Sequence, residues 1–527
     1  MNLASIKERV QEFILTQQYG DADSKLLELE AIFPEDPDLY AMRAFMYFQQ
    51  GQTDQARTIL EKAIQSHIVN GDILFSRAQI YELDREFLRA VELYEFLLFK
   101  CQIEDERAEL LEHLNELQEQ NQERLEQELA DEEMGDAHRL LRENSPVLHV
   151  HLLYDSQYCD NFIRMVHEGM DATHHVFLIV ANRNQEFSTI TEVTLKLPGV
   201  IRIDIDDHLN QLIEYLSRGS AIYIHFLFDY ICELICKLDL KTNLNWVVWG
   251  ADLYNYVDYK LYDQQTSAYL SRIGLTSSNQ IDKKTLSYYY RKSAVRRISR
   301  VLTLFDGDFD ILKRNFITKA KRYEFSYPNF VDFVHLTPIY SKRVIDHQHQ
   351  TTILLGNSAN PSNQHIELID MISPYKDENI KVIMPLSYGG FQPYINDIVK
   401  LGKETFGDKF TPILKLLDLK QYADLLADVD IALFNNRRQQ AVGNIIALLY
   451  MGKKVFINPA AITFDYFKKL GVNIHDIHSI EKLSYAELNA NIVDVQREQR
   501  LISSNWSKHR SLELFLDIVD INEKREG

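Results

Sequence analysis

The chain has 527 residues, 46% hydrophobic and 25% charged, which is too long for one core and too apolar for wholesale disorder, so about two to four domains are expected. A formal net charge of -20 excludes a general nucleic-acid binder, because duplex affinity rests on Lys and Arg at phosphates. Cys101, Cys159, Cys232 and Cys236 form no CxxC pair and read as reduced, buried thiols.

The opening MNLASIKERVQEFILTQQYG is amphipathic without the apolar core of a secretory signal. No apolar run reaches the roughly 20 residues that span a bilayer. A cytoplasmic protein is expected, at most touching a membrane from its surface.

A shift of 34 residues aligns Ile6, Tyr40 and Leu74, then Val10, Ala44 and Ala78, then Ala22, Ala56 and Ala90, then Leu26, Leu60 and Tyr94. Small residues where paired helices approach and large ones between neighbouring pairs make the tetratricopeptide pattern. Such a stack presents a concave face to a peptide or protein, or serves as a spacer or dimerisation surface. From Glu104 to Asn144 the sequence is charged and Gln-rich with Leu110, Leu114 and Leu117 at helical spacing, which predicts one long solvent-washed helix.

After Pro146 short apolar runs alternate with amphipathic helices: VLHVHLLY, HHVFLIVA, VIRIDI, AIYIHFLF, LNWVVWGAD and RVLTLFDGD, then a second set from TTILLGNS through NIKVIMPLS, FTPILKLL, DIALFNN and KKVFINP. Such alternation predicts parallel sheets covered by helices on both faces. The expected α/β architecture is therefore two Rossmann-like domains facing a cleft behind an all-α repeat module. The boundaries are repeats at 1–103, a charged linker helix at 104–145, an N-terminal sheet domain at 146–340, a C-terminal one at 341–504, and a closing helix at 505–527, with the polar hinge YSKRVIDHQHQT between the sheets.

Ligands bind open α/β sheets at the carboxyl ends of strands. There Gly356 and Asn357 lead through Ser358, Asn360, Ser362 and Asn363 into a helix near His365, a turn of caps and hydroxyls that suits phosphate. After DIALF come Asn435, Asn436, Arg437, Arg438, Gln439, Gln440, Gly443 and Asn444. Arg beside a helix start is a natural diphosphate clamp. In WVVWGADLY a carboxylate, Asp252, follows a Gly at a strand end, and reads either as a general base for an acceptor hydroxyl or as a hydrogen-bonding strut. His225 ends another strand of the same sheet and is a second catalytic candidate.

WGADLY (Trp249–Tyr254), GNSANPSNQHIE (Gly356–Glu367) and RQQAVGN (Arg438–Asn444) together resemble the N-acetylfucosaminyltransferase family of enterobacterial common antigen synthesis. The resemblance spans roughly residues 147 to 517. It implies a metal-independent GT-B fold, a bacterial cell-envelope role at the cytoplasmic face of the inner membrane, and a TDP-activated deoxy-amino sugar passed to a lipid-linked oligosaccharide. It places Gly356, Asn357, Ser358, Ser362, Asn363, Arg438, Gln439, Gln440 and Gly443 at the donor, with Tyr388 near the base.

The segment after Tyr254 and the repeat module depart from that family. Lys283, Lys284, Arg291, Lys292, Arg296, Arg297 and Arg300, interleaved with Tyr288–Tyr290, read as an acceptor-side patch that docks on anionic lipid, or else as a solvated or diphosphate-facing helix. Asp204, Asp206 and Asp207, and Asp306 and Asp308, match a metal-binding carboxylate motif only in spacing, so no metal or other cofactor is expected. Two other readings remain: a protein glycosyltransferase whose repeats select a polypeptide, and a non-catalytic scaffold of a polysaccharide-synthesis complex.

Overall fold

The computed structural model describes residues 3–131, 148–181, 189–240, 242–275, 282–328, 350–490 and 494–523. The chain opens with three helical hairpins, α1 (Leu3–Leu15) with α2 (Tyr19–Ile32), α3 (Pro37–Gln49) with α4 (Thr53–Gln65), and α5 (Gly71–Leu83) with α6 (Phe87–Lys100). Their first helices begin at residues 3, 37 and 71, the spacing of the sequence repeat. Ala22, Ala56 and Ala90 are wholly buried, where only a methyl group lets the helices close. Asp36 accepts from the Asp38 amide ahead of Pro37, and Asn70 accepts from Ile73 N–H, so each later hairpin starts on a side-chain cap.

The single long helix expected after residue 104 is instead two, α7 (Glu104–Gln120) and α8 (Gln122–Asp131). Asn121 breaks it by donating its side-chain amide to the Leu117 carbonyl. The turn brings Leu114, Leu117, Leu125 and Leu129 into one buried cluster with Val91 and Leu98, so the segment is part of the helical module. Its remainder to residue 145 lies outside the described residues, as does the hinge up to residue 349.

The first sheet contains β1 (His149–Leu153), β2 (His175–Ala181), β3 (Val200–Asp204), β4 (Ala221–His225), β5 (Asn243–Val247), β6 (Arg300–Leu302) and β7 (Lys321–Tyr323). The second contains β8 (Thr351–Leu355), β9 (Ile380–Pro385), β10 (Phe410–Ile413), β11 (Ile431–Phe434), β12 (Lys454–Ile457) and β13 (Ile474–Asp476). Every pairing is parallel, and the strand orders are β3-β2-β1-β4-β5-β6-β7 and β10-β9-β8-β11-β12-β13. Each order reverses at its centre, which opens a crevice at β1/β4 and another at β8/β11. The edge strands β7 and β13 escaped the sequence reading because each is three residues long and carries little apolar signal.

Helix Val495–Trp506 packs beneath the second sheet, with Ile502 and Trp506 in its core. Helix Lys508–Glu523 then crosses to the first sheet, where Phe515, Ile518 and Val519 join Phe162, Phe177 and Tyr223. The segment after Tyr254 also crosses: helix Gln264–Arg272 leaves the first domain and lies on the second, where the Thr266 amide and hydroxyl both donate to Glu367.

The basic segment corrects the sequence reading most sharply. Helix Leu286–Arg297 is internal, wedged between the helical module and helix Asp229–Lys237. Arg296 and Arg297 close on Glu95 of α6, a carboxylate with no exposure at all. Tyr289 also donates to Glu95, and Gln118 of α7 donates to the Tyr289 oxygen. Lys292 bonds Asn115, and Arg300 reaches Asn522 of the last helix. Lys283 and Lys284 alone of the seven are exposed. A patch whose cations are spent inside the protein is not a lipid-docking surface; it joins the module to the first sheet domain.

Candidate active site

On the second sheet the loops after β8 and β11 leave the two strands that flank the crevice. Gly356 has φ +69°, and a Cβ there would stand 2.8 Å from Asn363 Oδ1, so a side chain would displace the residue that organises the turn. Asn363 Oδ1 accepts from the Asn357 backbone N–H at 3.0 Å, and Asn363 Nδ2 donates to the carbonyls of Ser358 and Asn360. His365 ties the Ser358 carbonyl to the Tyr394 hydroxyl. Across the crevice the Ser362 hydroxyl donates to Gln440 Oε1 at 2.6 Å, the Gln440 amide donates to Asn357, and the Asn436 amide donates to the Ser362 carbonyl. The Asn357 amide donates in turn to the hydroxyl of half-exposed Tyr388. The structure thus brings Gly356, Asn357, Ser358, Ser362, Asn363, Tyr388 and Gln440 into one hydrogen-bonded rim.

Arg438 and Arg437 take opposite roles. Arg437 bonds Asp263 at 2.8 Å on the crossing segment. Arg438 is 9% exposed, and its one hydrogen bond among the described residues is a 3.4 Å contact to the neighbouring Gln439 carbonyl. Burial lowers its pKa, opposed by the more distant Tyr262, Tyr254, Asp252 and Asp308, yet a guanidinium stays charged. A buried cation without a counter-anion is costly. Beside it, Gln439 Oε1, Asn436 Oδ1 and Asn435 Nδ2 lack partners among the described residues. Helix Val442–Tyr450 starts here with Gly443 and Asn444 in its first turn, and its cap, Ala441, supplies no side-chain bond. A guanidinium on the same loop as a helix start that lacks a side-chain cap suits a diphosphate.

The first sheet faces these loops. Gly250, at φ +94°, comes so near that a Cβ would be 3.0 Å from the Gln439 carbonyl. Asp252 lies behind it, 1% exposed, with one oxygen accepting from Trp246 Nε1 and Leu227 N–H and the other from Trp249 N–H. Burial raises its pKa against those bonds. Both oxygens are turned inward onto protein donors, so the base assignment for Asp252 is corrected to a strut. His225 is corrected likewise: it is 1% exposed and bonded to His151 and to the Tyr327 hydroxyl, inside a ring stack.

By spacing alone Asp308 reads only as a metal-ligand candidate. It is wholly buried, accepts from Thr303 and Tyr254 hydroxyls, and is pushed by burial to a pKa of about 7. Asp204 instead caps the helix that follows it. Nothing in the linear pattern separates a buried carboxyl from a capping one.

The family model described as 4-alpha-L-fucosyltransferase, glycosyl transferase group 56, matches residues 225–499, just over half of the chain. The chain belongs to this family. A glycosyltransferase from Rickettsia africae is 11% identical with a TM-score of 0.50, over 72% of this chain and 100% of that one. Sucrose-phosphate synthase from Thermosynechococcus elongatus is 7% identical at 0.49, over 71% and 98%. Anabaena HepE in complex with UDP and glucose is 11% identical at 0.48, over 71% and 100%. The fold is GT-B, and the protein is a nucleotide-sugar-dependent glycosyltransferase.

Proposed function

We propose that this glycosyltransferase moves an N-acetylfucosamine-like deoxy-amino sugar from a TDP-sugar to a hydroxyl of a lipid-linked oligosaccharide, without a metal ion. The observation that carries the donor half is Arg438, a buried guanidinium at the β8/β11 crevice with no carboxylate within ion-pair distance among the described residues. A nucleotide diphosphate pairs with that charge, and Arg438 with the helix start at Val442 stabilises it as leaving group. The TDP-sugar and the lipid-linked acceptor rest on the resemblance of GNSANPSNQHIE and RQQAVGN. No helix among the described residues is long and apolar enough to cross a membrane, so a lipid-linked acceptor would be met from the surface.

A second reading keeps the donor and makes the acceptor a polypeptide. It is favoured by one observation: the hairpins, which we assign to the tetratricopeptide class, are locked to the acceptor-side domain through Glu95, so a bound peptide would be presented in a fixed position.

Calorimetry of TDP, UDP and GDP with magnesium or with EDTA tests the donor half. TDP is expected to bind equally in both buffers, with Arg438→Ala weakening it by about 2 kcal/mol or more, the range of charge-assisted hydrogen bonds. Absence of binding by all three nucleotides would overturn the reading.

A further inference from the structure

The crevice of the first sheet carries a row of partly exposed aromatic rings. Tyr154 and Tyr158 follow β1, Phe226 and Phe228 follow β4, and Trp249 follows β5. Ring centroids lie 4.9 Å apart for Tyr154 and Trp249, 5.4 Å for Tyr158 and Trp249, 5.8 Å for Tyr154 and Phe226, and 4.4 Å for Phe226 and Phe228. The rings beneath them, Phe162, Phe177 and Tyr223, are wholly buried.

Phe226 has φ +87°, a backbone region that bulky residues avoid and that persists only where surroundings over-determine it. Here they do. The next residue, Leu227, donates its N–H to Asp252 at 3.1 Å, and its carbonyl accepts from Arg291 at 2.7 Å. Asp252 also takes the Trp249 amide, and Arg291 also holds the Asp252 carbonyl. The Trp249 indole N–H donates to Tyr327 at 2.9 Å, and Tyr327 pairs with His225. Two buried charged side chains, buried His225 and half-buried Tyr327 thus hold Phe226 and Trp249 in place against the conformational cost of the positive φ.

Trp249 adjoins Gly250, whose Cβ position is 3.0 Å from the Gln439 carbonyl of the donor loop. A ring seated on Trp249 therefore lies beside the anion site. Aromatic faces interleaved with tyrosine hydroxyls match the apolar C–H face and the hydroxyl edge of a pyranose better than an all-apolar chain. We propose that Phe226 and Trp249 form the stacking platform for a sugar ring of the acceptor, with Asp252 and Arg291 as its positioning residues; this rests on the transferase reading above.

Trp246 and Trp506 are buried, at 1% and 2% exposure, so quenching of fluorescence by a ligand in the cleft reports Trp249. The probes are octyl β-glucoside, octyl β-galactoside and octyl N-acetyl-β-glucosaminide, titrated with TDP present, and octyl tetraethylene glycol ether as the tail without a sugar. At least one glycoside is expected to quench saturably and the tail alone not. Phe226→Ala should weaken that glycoside about tenfold, the loss of one ring contact, leave TDP affinity unchanged, and be rescued by Phe226→Tyr. Phe226→Gly removes the ring and relieves the positive φ; it should lose glycoside binding yet melt no lower than Phe226→Ala. The proposal is overturned if a protein that binds TDP is quenched by no glycoside, if the sugarless tail quenches equally, if Phe226→Ala binds glycoside unchanged, or if Phe226→Gly melts well below Phe226→Ala. Failure to bind any nucleotide counts against the transferase reading instead.

Discussion

Arg291 and Arg438 are both almost wholly buried, but only Arg291 meets a carboxylate among the described residues. Arg291 reaches Asp229 and the carbonyls of Leu227 and Asp252 and lies over the Tyr256 ring; Arg438 has a single long contact to a neighbouring carbonyl. The same side chain is a strut in one place and, in the function proposed above, an anion receptor in the other. Asp252 belongs with the struts, and this separates it from a base by experiment. Asp252→Asn turns an N–H toward the Leu227, Trp246 or Trp249 donor, so urea unfolding should show a loss of about 1–3 kcal/mol, the cost of buried unsatisfied donors; a base would lose turnover with its stability intact. Gly356→Ala should cost about 1–2 kcal/mol from the left-handed backbone alone, and because the new methyl pushes Asn363, calorimetry should show weaker nucleotide binding as well. The turn at Gly356 and the place of Arg438 after a strand were legible in the sequence, since a Gly in a strand-to-helix turn and the end of an apolar run are local signals. Asp308 and Phe226 were not, because burial and φ arise from neighbours distant in sequence.

At the scale of elements, β1, β2 and β4 share a ladder of histidines under the last helix. His151 bonds both His175 and His225, and His149 stacks on His175. Burial, with the neighbouring histidines, pushes His149 to a pKa of about 4 and His151 well down; burial and neighbours including His149 take His175 to about 3, and burial takes His225 to about 3. Each is neutral when folded and protonates near pH 6.5 when unfolded. Their contribution is therefore complete above pH 6.5 and lost as pH falls toward their folded values, by up to about 1.4 kcal/mol per group per pH unit. Asp308 works in the opposite sense, since its raised pKa favours the folded state at low pH and that advantage fades as pH rises through about 7. Urea midpoints at pH 7, 6 and 5 should fall with pH, more gently in His175→Gln and more steeply in Asp308→Asn. Between elements, Glu95 joins α6 to helix Leu286–Arg297. Glu95→Ala strands Arg296 and Arg297 and should cost about 3–5 kcal/mol, the penalty for halving a buried ion pair, read as a lower denaturation midpoint and faster proteolysis of the helical module.

Across the whole molecule, two described segments bridge the sheet domains. Tyr259 donates to the Arg437 and Ala460 carbonyls, and Asp263 pairs with Arg437, so the crossing segment grips the loop after β11 one residue from Arg438. The final helix closes the first sheet so tightly that a Cβ on Gly169 would stand 2.3 Å from Leu512. A chain ending before Lys508 would uncover Phe162 and Phe177 and forfeit burial of Phe515, Ile518 and Val519, worth about 1.5–3 kcal/mol each. Dye binding to exposed apolar surface should rise in that truncation, and the first domain should melt earlier than the second.

What the sequence determined by itself was periodic or local. The hairpin spacing, the two runs of buried strands and the Gly- and Asn-rich turns after β8 and β11 each repeat a short rule of backbone or patterning, and each stands where the linear reading put it. Three-residue edge strands and the break at Asn121 fell below that signal. Only the tertiary structure decided what the charges do, because burial depends on what packs opposite. It turned a basic stretch that reads as membrane-facing into the joint around Glu95, turned Asp252 and His225 inward, and left Arg438 among them facing the cleft with its charge unpaired.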